Sequence, residues 1–223
     1  MKGAARAAPF FFIPMPNRRY THFDHLLIAA DEALRSLSGT TTPARPSPAG
    51  AERAERASPV SVGLMRVNHT GEVCAQALYS GQSLFARDPL VRETLIAAAS
   101  EERDHLAWCR ARLTELGSRP SYLDPIWYAA SFGIGVASGI AGDRWSMGFL
   151  AETEEQVERH LEGHLDLLPR DDTRSRAVVE QMREDEQRHG RTGRELGARE
   201  LPLAVKAVMR LASKVMTRTA YYV

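Results

Sequence analysis

Apolar side chains recur at helical spacing through most of this chain, and no stretch alternates apolar and polar residues as a β-strand does. Residues 23–37 repeat apolar groups every three or four positions and predict a short amphipathic helix. From residue 58 onward the same periodicity predicts longer helices at about 60–86, 89–116, 172–197 and 201–218, and another that ends near residue 168. The pattern therefore predicts an all-α protein.

Residue types at the expected helix ends support these boundaries. Asp88 and Pro89 suit the cap and first position of the second long helix, and Gly117 suits its end. Asp171 and Asp172 can cap the helix predicted at 172–197, and Pro202 lies at the start of the helix predicted at 201–218. An apolar, Gly-rich segment at residues 126–141 leads into the helix that ends near residue 168.

The first 57 residues have a different composition from the rest of the chain. An apolar run at residues 10–13 is flanked by prolines and arginines, and it is too short for the apolar region of a signal peptide. Residues 39–48 are rich in Thr and Pro and begin with Gly39, which is typical of a linker. We therefore predict an N-terminal extension over residues 1–57, with a short helix and a Pro-rich linker, and one domain over residues 58–223.

Charge and cysteine content exclude some classes of protein. A net charge of +1 argues against a general nucleic-acid binder. The two cysteines, Cys74 and Cys109, lie inside helical patterns and form no metal knuckle. We expect both to be small buried hydrophobic residues in a reducing cytosol.

Six side chains form a pattern that occurs twice in the chain. Each half contains a Glu-x-x-His step, and a lone glutamate precedes the Glu of that step by 30 residues in one half and 32 in the other. The first half contributes Glu72, Glu102 and His105, and the second half contributes Glu154, Glu186 and His189. Residues i and i+3 share one face of a helix, so the Glu and His of each step project together.

Turn signals at residues 87–89 and 169–171 lie midway between the paired glutamates of each half. If each half is an antiparallel hairpin, a rise of about 1.5 Å per residue places all four carboxylates roughly 22 Å from their turns. Single Glu-x-x-His steps are common on exposed helices, and the repeated spacing is what favours a metal site. Four carboxylates and two imidazoles at one level of a four-helix bundle form the ligand set of a di-iron centre.

The two hairpins are separated by a long connection of 49 residues from His105 to Glu154. A hairpin needs far fewer residues, whereas a ferritin-like four-helix bundle uses a long crossover to bring its second hairpin beside the first. The predicted fold is such a bundle with additional peripheral helices.

Several segments around these six residues resemble one enzyme family, the bacterial ubiquinone-biosynthesis di-iron hydroxylases. The resemblance covers about residues 60–223 and is carried by LMRVNHTGEVCA at 64–75, EERDHLAWC at 101–109, ETEEQV at 152–157 and DEQRH at 185–189. It implies hydroxylation of the ring of 2-polyprenyl-3-methyl-6-methoxy-1,4-benzoquinol, with two iron ions per subunit and O₂ as co-substrate. It points to NADH or the quinol itself as reductant, and the chain has no nucleotide-binding fingerprint that decides between them.

By analogy with related sites, each iron takes one histidine and one terminal carboxylate, and two glutamates bridge the irons. Which glutamates bridge is left open by the sequence. Asp185 and His160 are candidates for hydrogen bonding around the ligands, although His160 is six residues from Glu154 and needs a helical distortion to reach the metals. For Tyr79 the sequence favours core packing.

Two segments predict contact with a membrane surface, where the polyprenyl quinol substrate resides. The apolar run at 126–141 is shorter than the roughly 20 residues of a membrane span. Lys206, Arg210, Lys214 and Arg218 recur every four residues, and residues 201–223 contain no acid. We expect peripheral binding at the cytoplasmic face of the bacterial cell membrane. Homo-oligomers and partner proteins of ubiquinone biosynthesis are left open, and no nucleic-acid partner is expected.

Alternative functions share parts of this pattern. A peroxidase of the rubrerythrin kind usually adds a Cys₄ module, which two cysteines cannot supply. A tRNA-modifying hydroxylase favours a more basic surface. An iron-storage or iron-binding protein forms a closed shell, which the apolar crossover and the basic C-terminal segment argue against.

Overall fold

The computed structural model describes residues 21–50 and 58–223, and within these ranges every regular element is an α-helix. The seven helices are α1 (His22–Ser38), α2 (Pro59–Ser83), α3 (Pro89–Glu115), α4 (Asp124–Ala141), α5 (Asp143–Leu167), α6 (Thr173–Glu195) and α7 (Leu203–Tyr222). The all-α prediction is confirmed. The expectation for the apolar run at residues 10–13 falls outside the described residues.

Short polar side chains and glycines set the helix ends, as the sequence predicted. The Asp88 carboxylate accepts a hydrogen bond from the Leu90 amide at 2.8 Å, directly before α3 begins with Pro89. After α3, Gly117 adopts the left-handed conformation with a φ of 69°, which a residue without a Cβ adopts at little cost. Asp172 caps α6 by accepting from an amide in its first turn.

The crossover consists of two helices separated by Gly142. This residue has φ 114° and ψ 162°, a conformation that favours glycine, and it ends α4 directly before α5 starts at Asp143. The Asp143 carboxylate accepts the backbone amides of Arg87 and Asp88 at 3.0 and 2.8 Å. These bonds attach the α4–α5 corner to the turn between α2 and α3.

Helix α2 packs along α3, and α5 packs along α6. Two apolar clusters fill the space between these four helices. One cluster contains residues from the start of α2 and α6 and the end of α3 and α5, such as Met65, Leu113 and Met182. The other contains residues from the opposite ends, such as Leu78, Leu95 and Leu150. Helices α2 and α3 are therefore antiparallel, as are α5 and α6, and a polar layer lies between the clusters.

Helices α1, α4 and α7 surround this unit, and all three pack against α2. The α2–α4 contact is close because both helices present glycine. A Cβ on Gly135 would lie 2.2 Å from the Leu78 carbonyl oxygen, and one on Gly81 would lie 2.5 Å from the Phe132 carbonyl oxygen. Among the helices of the described residues, none combines the length and apolar character needed to cross a membrane.

Candidate metal centre

The structure brings all six residues of the repeated Glu and His pattern together in the polar layer between the two apolar clusters. They come from four helices: Glu72 on α2, Glu102 and His105 on α3, Glu154 on α5, and Glu186 and His189 on α6. All six side chains are buried. Four carboxylates in the interior of a protein are unfavourable without positive charge to balance them, so this layer requires an explanation beyond packing.

The six residues form two groups that share two members. His105 groups with Glu72, Glu102 and Glu186, and its Nδ1 atom lies 3.4, 3.0 and 3.2 Å from their nearest carboxylate oxygens. We call this group the His105 half. Glu102 and Glu186 also belong to the second group, so each of them directs oxygens toward both histidines.

The second group, which we call the His189 half, contains His189, Glu102, Glu154 and Glu186. His189 Nδ1 lies 3.3 Å from both Glu102 and Glu186 and 3.7 Å from Glu154. Glu102 offers Oε2 to His105 and Oε1 to His189, while Glu186 offers Oε1 to His105 and Oε2 to His189. Glu72 and Glu154 each belong to one half only.

Both imidazoles present Nδ1 to the carboxylates and direct Nε2 away from them. Nε2 of His105 donates to Asp185 Oδ2 at 2.9 Å, and Nε2 of His189 lies 3.3 Å from Glu101 Oε2. A carboxylate at Nε2 fixes the hydrogen there and leaves Nδ1 as a potential metal ligand, which is the usual outer arrangement of metal-bound histidine. Asp185 lies on α6 and thus contacts the histidine on α3, not the one on its own helix.

The layer holds protons when no metal neutralises it, on the unshared glutamates because of burial and on the histidines because of hydrogen bonds to carboxylates. Burial raises the pKa of Glu72 and of Glu154 well above the usual value, and repulsion from neighbouring carboxylates adds to it. Burial lowers the pKa of His105, but hydrogen bonds to Asp185 and the glutamates outweigh it and the pKa is raised. The pKa of His189 is raised for the same reason, with Glu101 as its first partner.

These residues fit metal ions. In each group, one ligand atom per residue can be chosen so that all four lie within 4.8 Å of one another. Glu154 Oε2 is a buried acceptor without a hydrogen-bond partner among the described residues, and a cation would satisfy it. Four carboxylates carry four negative charges, which equals the charge of two divalent cations. The oxygen and nitrogen donors suit iron or manganese.

Other residues that the sequence singled out lie outside the two groups. The His160 ring packs against the His164 ring with a centroid distance of 4.0 Å and an interplanar angle of 59°, and His164 Nδ1 contacts Asn68 Oδ1 at 2.7 Å. His69 is buried with Nδ1 3.1 Å from Asp124. The structure therefore does not bring His160 to the ligands.

The structure shows three contacts around the centre that the sequence pattern did not predict. The Tyr79 hydroxyl, expected to serve core packing alone, donates a hydrogen bond to Glu154 Oε1. Glu101 contacts His189. Its position directly before the ligand Glu102 is the one sequence feature that could have indicated this contact. Arg45 Nη1 lies 2.8 Å from Asp185 Oδ2. The two residues are 140 positions apart in the chain, and no local pattern indicates such a pair.

Comparison with known proteins places these residues in a familiar context. Residues 60–220 match the family described as ubiquinone biosynthesis protein COQ7. The 3-demethoxyubiquinol 3-hydroxylase of Ralstonia pickettii is 54% identical, and the match covers 89% of this chain and 98% of that protein. The proteins of the same description from Cupriavidus metallidurans and Cupriavidus taiwanensis are 56% and 57% identical, each over 89% of this chain and 99% of the relative.

Proposed function

This chain belongs to the ubiquinone biosynthesis protein COQ7 family, and on that premise we propose that it is a 3-demethoxyubiquinol 3-hydroxylase whose centre holds two iron ions. The observation that carries the proposal is the buried layer of four glutamates and two histidines on four helices. It accounts for the reaction named for the relatives, because ring hydroxylation requires activation of O₂ and the layer provides ligands for two metals. The arrangement of α2, α3, α5 and α6 around it also supports a ferritin-like bundle.

The two shared glutamates define the proposed coordination. Glu102 and Glu186 would bridge the two irons, since each directs oxygens toward both histidines. Glu72 with His105 and Glu154 with His189 would complete the two positions as ligands to one iron each. The sequence left open which glutamates bridge, and this geometry supports the two that belong to the Glu-x-x-His steps.

The overall reaction inserts one oxygen atom of O₂ into a ring C–H bond and reduces the other to water, using two electrons and two protons. When bound, the irons supply the binding and reduction of O₂. The protein contributes burial, which excludes water, and the Nε2 contacts that fix both imidazole rings. We propose NADH or the quinol substrate itself as the source of the electrons, as the family resemblance implies.

We further propose that the enzyme meets its polyprenyl substrate at the cytoplasmic face of the cell membrane. Helix α7 supports this because only Ala220 is buried along it, and Leu203 is 80% exposed with Val208 and Leu211 also exposed. Ile126, Ile134 and Ile140 on α4 are exposed as well. Both helices pack on α2, so the apolar groups flank one helix of the core.

The basic stripe on α7 is smaller than the sequence predicted. Lys206 forms ion pairs with Glu152, at 3.0 Å, and with Glu200. Its charge is therefore neutralised by this protein and is not available to lipid phosphate. Arg210, Lys214 and Arg218 are exposed and form no ion pair with other described residues. These three cations remain for an anionic surface.

Quinone analysis tests the proposed reaction. A bacterial strain that lacks its own 3-demethoxyubiquinol 3-hydroxylase accumulates the demethoxy precursor, and expression of this chain should restore ubiquinone. The Glu186→Ala variant, expressed at the same level, should leave the precursor in place. If the wild-type chain is expressed and the strain still makes no ubiquinone, the proposal is refuted.

A further inference from the structure

Residues 43–50, which we call the strap, follow α1 and lie against the outside of α3 and α6. The Ala44 amide donates to Asp104 at 2.6 Å, and the Trp108 indole donates to the Arg45 carbonyl at 3.3 Å. At the far end, the Arg174 side chain donates to the carbonyls of Ala49 and Gly50, each at 3.2 Å. The strap is thus attached at both ends by different side chains.

Arg45 connects the strap to the His105 half of the centre. Its Nε donates to Asp104 and its Nη1 donates to Asp185 Oδ2, both at 2.8 Å, while its guanidinium carbon lies 4.9 Å from the Trp108 ring centroid. The same Oδ2 atom of Asp185 accepts the Nε2 hydrogen of His105 at 2.9 Å. One oxygen therefore joins the guanidinium to the imidazole.

We propose that Arg45 is a positioning residue for the metal at the His105 half, acting through Asp185. The guanidinium spans the Asp104 and Asp185 carboxylates with one N–H to each, which holds Asp185 in place. The Asp185 carboxylate in turn fixes the ring orientation and the tautomer that leaves His105 Nδ1 available. The inference rests on the proposed metal centre and extends it to a residue of the N-terminal extension. It assigns Arg45 no contact with substrate.

The His189 half has a different outer partner. There the carboxylate beside Nε2 belongs to Glu101, whose side chain is 36% exposed, compared with 1% for Asp185. Glu101 pairs with Arg188, which is half exposed and also lies 2.9 Å from Asp185 Oδ1. The strap residues that contact the centre do so at Asp104, Asp185 and His105. Loss of Arg45 should therefore affect one of the two metals and spare the other.

Metal release from the full-length protein tests this directly. The wild type, Arg45→Met and Arg45→Lys are loaded anaerobically with Fe(II), and iron release to a coloured chelator is followed over time. Loss of partners of this kind typically costs 10–100-fold in metal affinity. In Arg45→Met, one iron per chain should leave about 10–100-fold faster while the other keeps the wild-type rate. Arg45→Lys retains the charge but loses the guanidinium, and it should be intermediate.

Two further variants separate positioning from general loosening of the strap. Arg174→Met removes the bonds at the far end of the strap without touching Asp104 or Asp185, and it should release both irons at the wild-type rates. Glu101→Gln should accelerate the iron that Arg45→Met leaves unchanged. Combined with Arg45→Met, it should accelerate the release of both irons, and since Arg188 contacts both Glu101 and Asp185 the double variant also measures the coupling between the two changes.

The possible failures are distinguishable. A wild type that holds fewer than two irons would refute the proposed metal centre. If the wild type holds two and Arg45→Met releases both at wild-type rates, the role of Arg45 is refuted and the centre stands. If Arg174→Met releases iron as fast as Arg45→Met does, the role of Arg45 is also refuted. General ordering of the strap, and not the contact between Arg45 and Asp185, would then explain iron retention. If circular dichroism shows Arg45→Met unfolded, wild-type release by Arg45→Lys would overturn the proposal.

Discussion

At the residue scale, the glutamates of the centre are of two kinds. Glu102 and Glu186 belong to both halves, whereas Glu72 and Glu154 belong to one. The two kinds of glutamate should therefore differ in what their loss costs. Removal of a shared residue affects both metal positions, and removal of an unshared residue affects one.

The ligand substitutions provide the first prediction. Glu102→Ala removes a ligand from both halves and should lower the iron content below one per chain, while His189→Ala should leave about one. Both variants should abolish turnover and keep the helical circular dichroism spectrum, since the apolar clusters on either side are unchanged. Iron content is measured after gel filtration. Full occupancy and activity in both variants would contradict the ligand assignment.

Tyr79 gives a second prediction at this scale. Its ring belongs to an apolar cluster and its hydroxyl donates to Glu154. Tyr79→Phe keeps the ring but leaves a buried carboxylate oxygen without its donor, which costs about 1–3 kcal/mol. We expect weaker iron binding with a normal fold, measured by competitive titration against a chelator. Tyr79→Leu serves as a comparison that also loses packing. Unchanged iron affinity in Tyr79→Phe would show that the hydroxyl bond is dispensable.

At the scale of elements, the sequence contained most of the information for the long helices. Asp88, Pro89 and Gly117 set helix ends through their own backbone and side-chain preferences, so local patterns were sufficient there. The matched Glu spacing places the carboxylates together because residues equidistant from the turn of an antiparallel hairpin stand at one level. Arg45 could not be predicted in this way, because its partners lie 59 and 140 residues away and no periodicity relates them.

The basic stripe on α7 has fewer unpaired cations than the sequence predicted, and tertiary structure is the reason. Every fourth residue from 206 to 218 is basic, and the sequence treated the four cations as equivalent. Glu152 lies on α5, more than 50 positions from Lys206 in the chain, and only packing of α7 on the core brings it near. Local periodicity therefore overestimated the charge available to lipid.

Helix α7 carries the third prediction. Arg210, Lys214 and Arg218 advance about 40° per step and so cover a sector of about 80°. Each cation near an anionic leaflet contributes about 1 kcal/mol, so replacing all three by Gln should weaken binding to anionic liposomes on the order of 100-fold at low salt. The loss should shrink at high salt, where charge is screened. Sedimentation with liposomes measures it.

Replacement of Lys206 and Glu200 together by Gln is the matched control for that experiment. The double change removes one cation and the anion paired with it, so it keeps the net charge and should change liposome binding little. A triple variant that binds as the wild type does at low salt would contradict the role of the stripe. The exposed isoleucines of α4 would then remain as the proposed membrane contact.

At the scale of the whole molecule, the metal centre couples stability to pH. In the metal-free protein the pKa values of Glu72, Glu154, His105 and His189 are raised, so the folded state binds more protons than the unfolded chain. Burial lowers the pKa of His69, His160 and His164, and these three groups oppose the effect at pH values up to about 6.5. Stability of the metal-free protein should therefore fall as pH rises from about 6.5 to 8, where the unfolded chain has lost these protons and the folded protein keeps those of the centre. Lowered carboxyl pKa values, such as that of Asp185, act below this range.

Metal reverses this dependence because it replaces the protons. The fourth prediction is that the difference in melting temperature between iron-loaded and metal-free protein grows between pH 5 and pH 8. Differential scanning calorimetry under anaerobic conditions measures it. The Glu72→Gln variant, which lacks one of the titrating groups, should show a weaker pH dependence. A difference that is constant over this range would contradict proton displacement at the centre.

The central claim is that this chain uses two irons to insert an oxygen atom from O₂ into the ring of demethoxyubiquinol. A single-turnover reaction of the iron-loaded protein with a short-chain demethoxyubiquinol and isotopically labelled O₂, analysed by mass spectrometry, tests it most directly. We predict a hydroxylated product with one labelled oxygen atom, and none from the metal-free protein or from Glu102→Ala. A protein that holds two irons and yields no hydroxylated product, or a product whose new oxygen comes from water, would contradict the account.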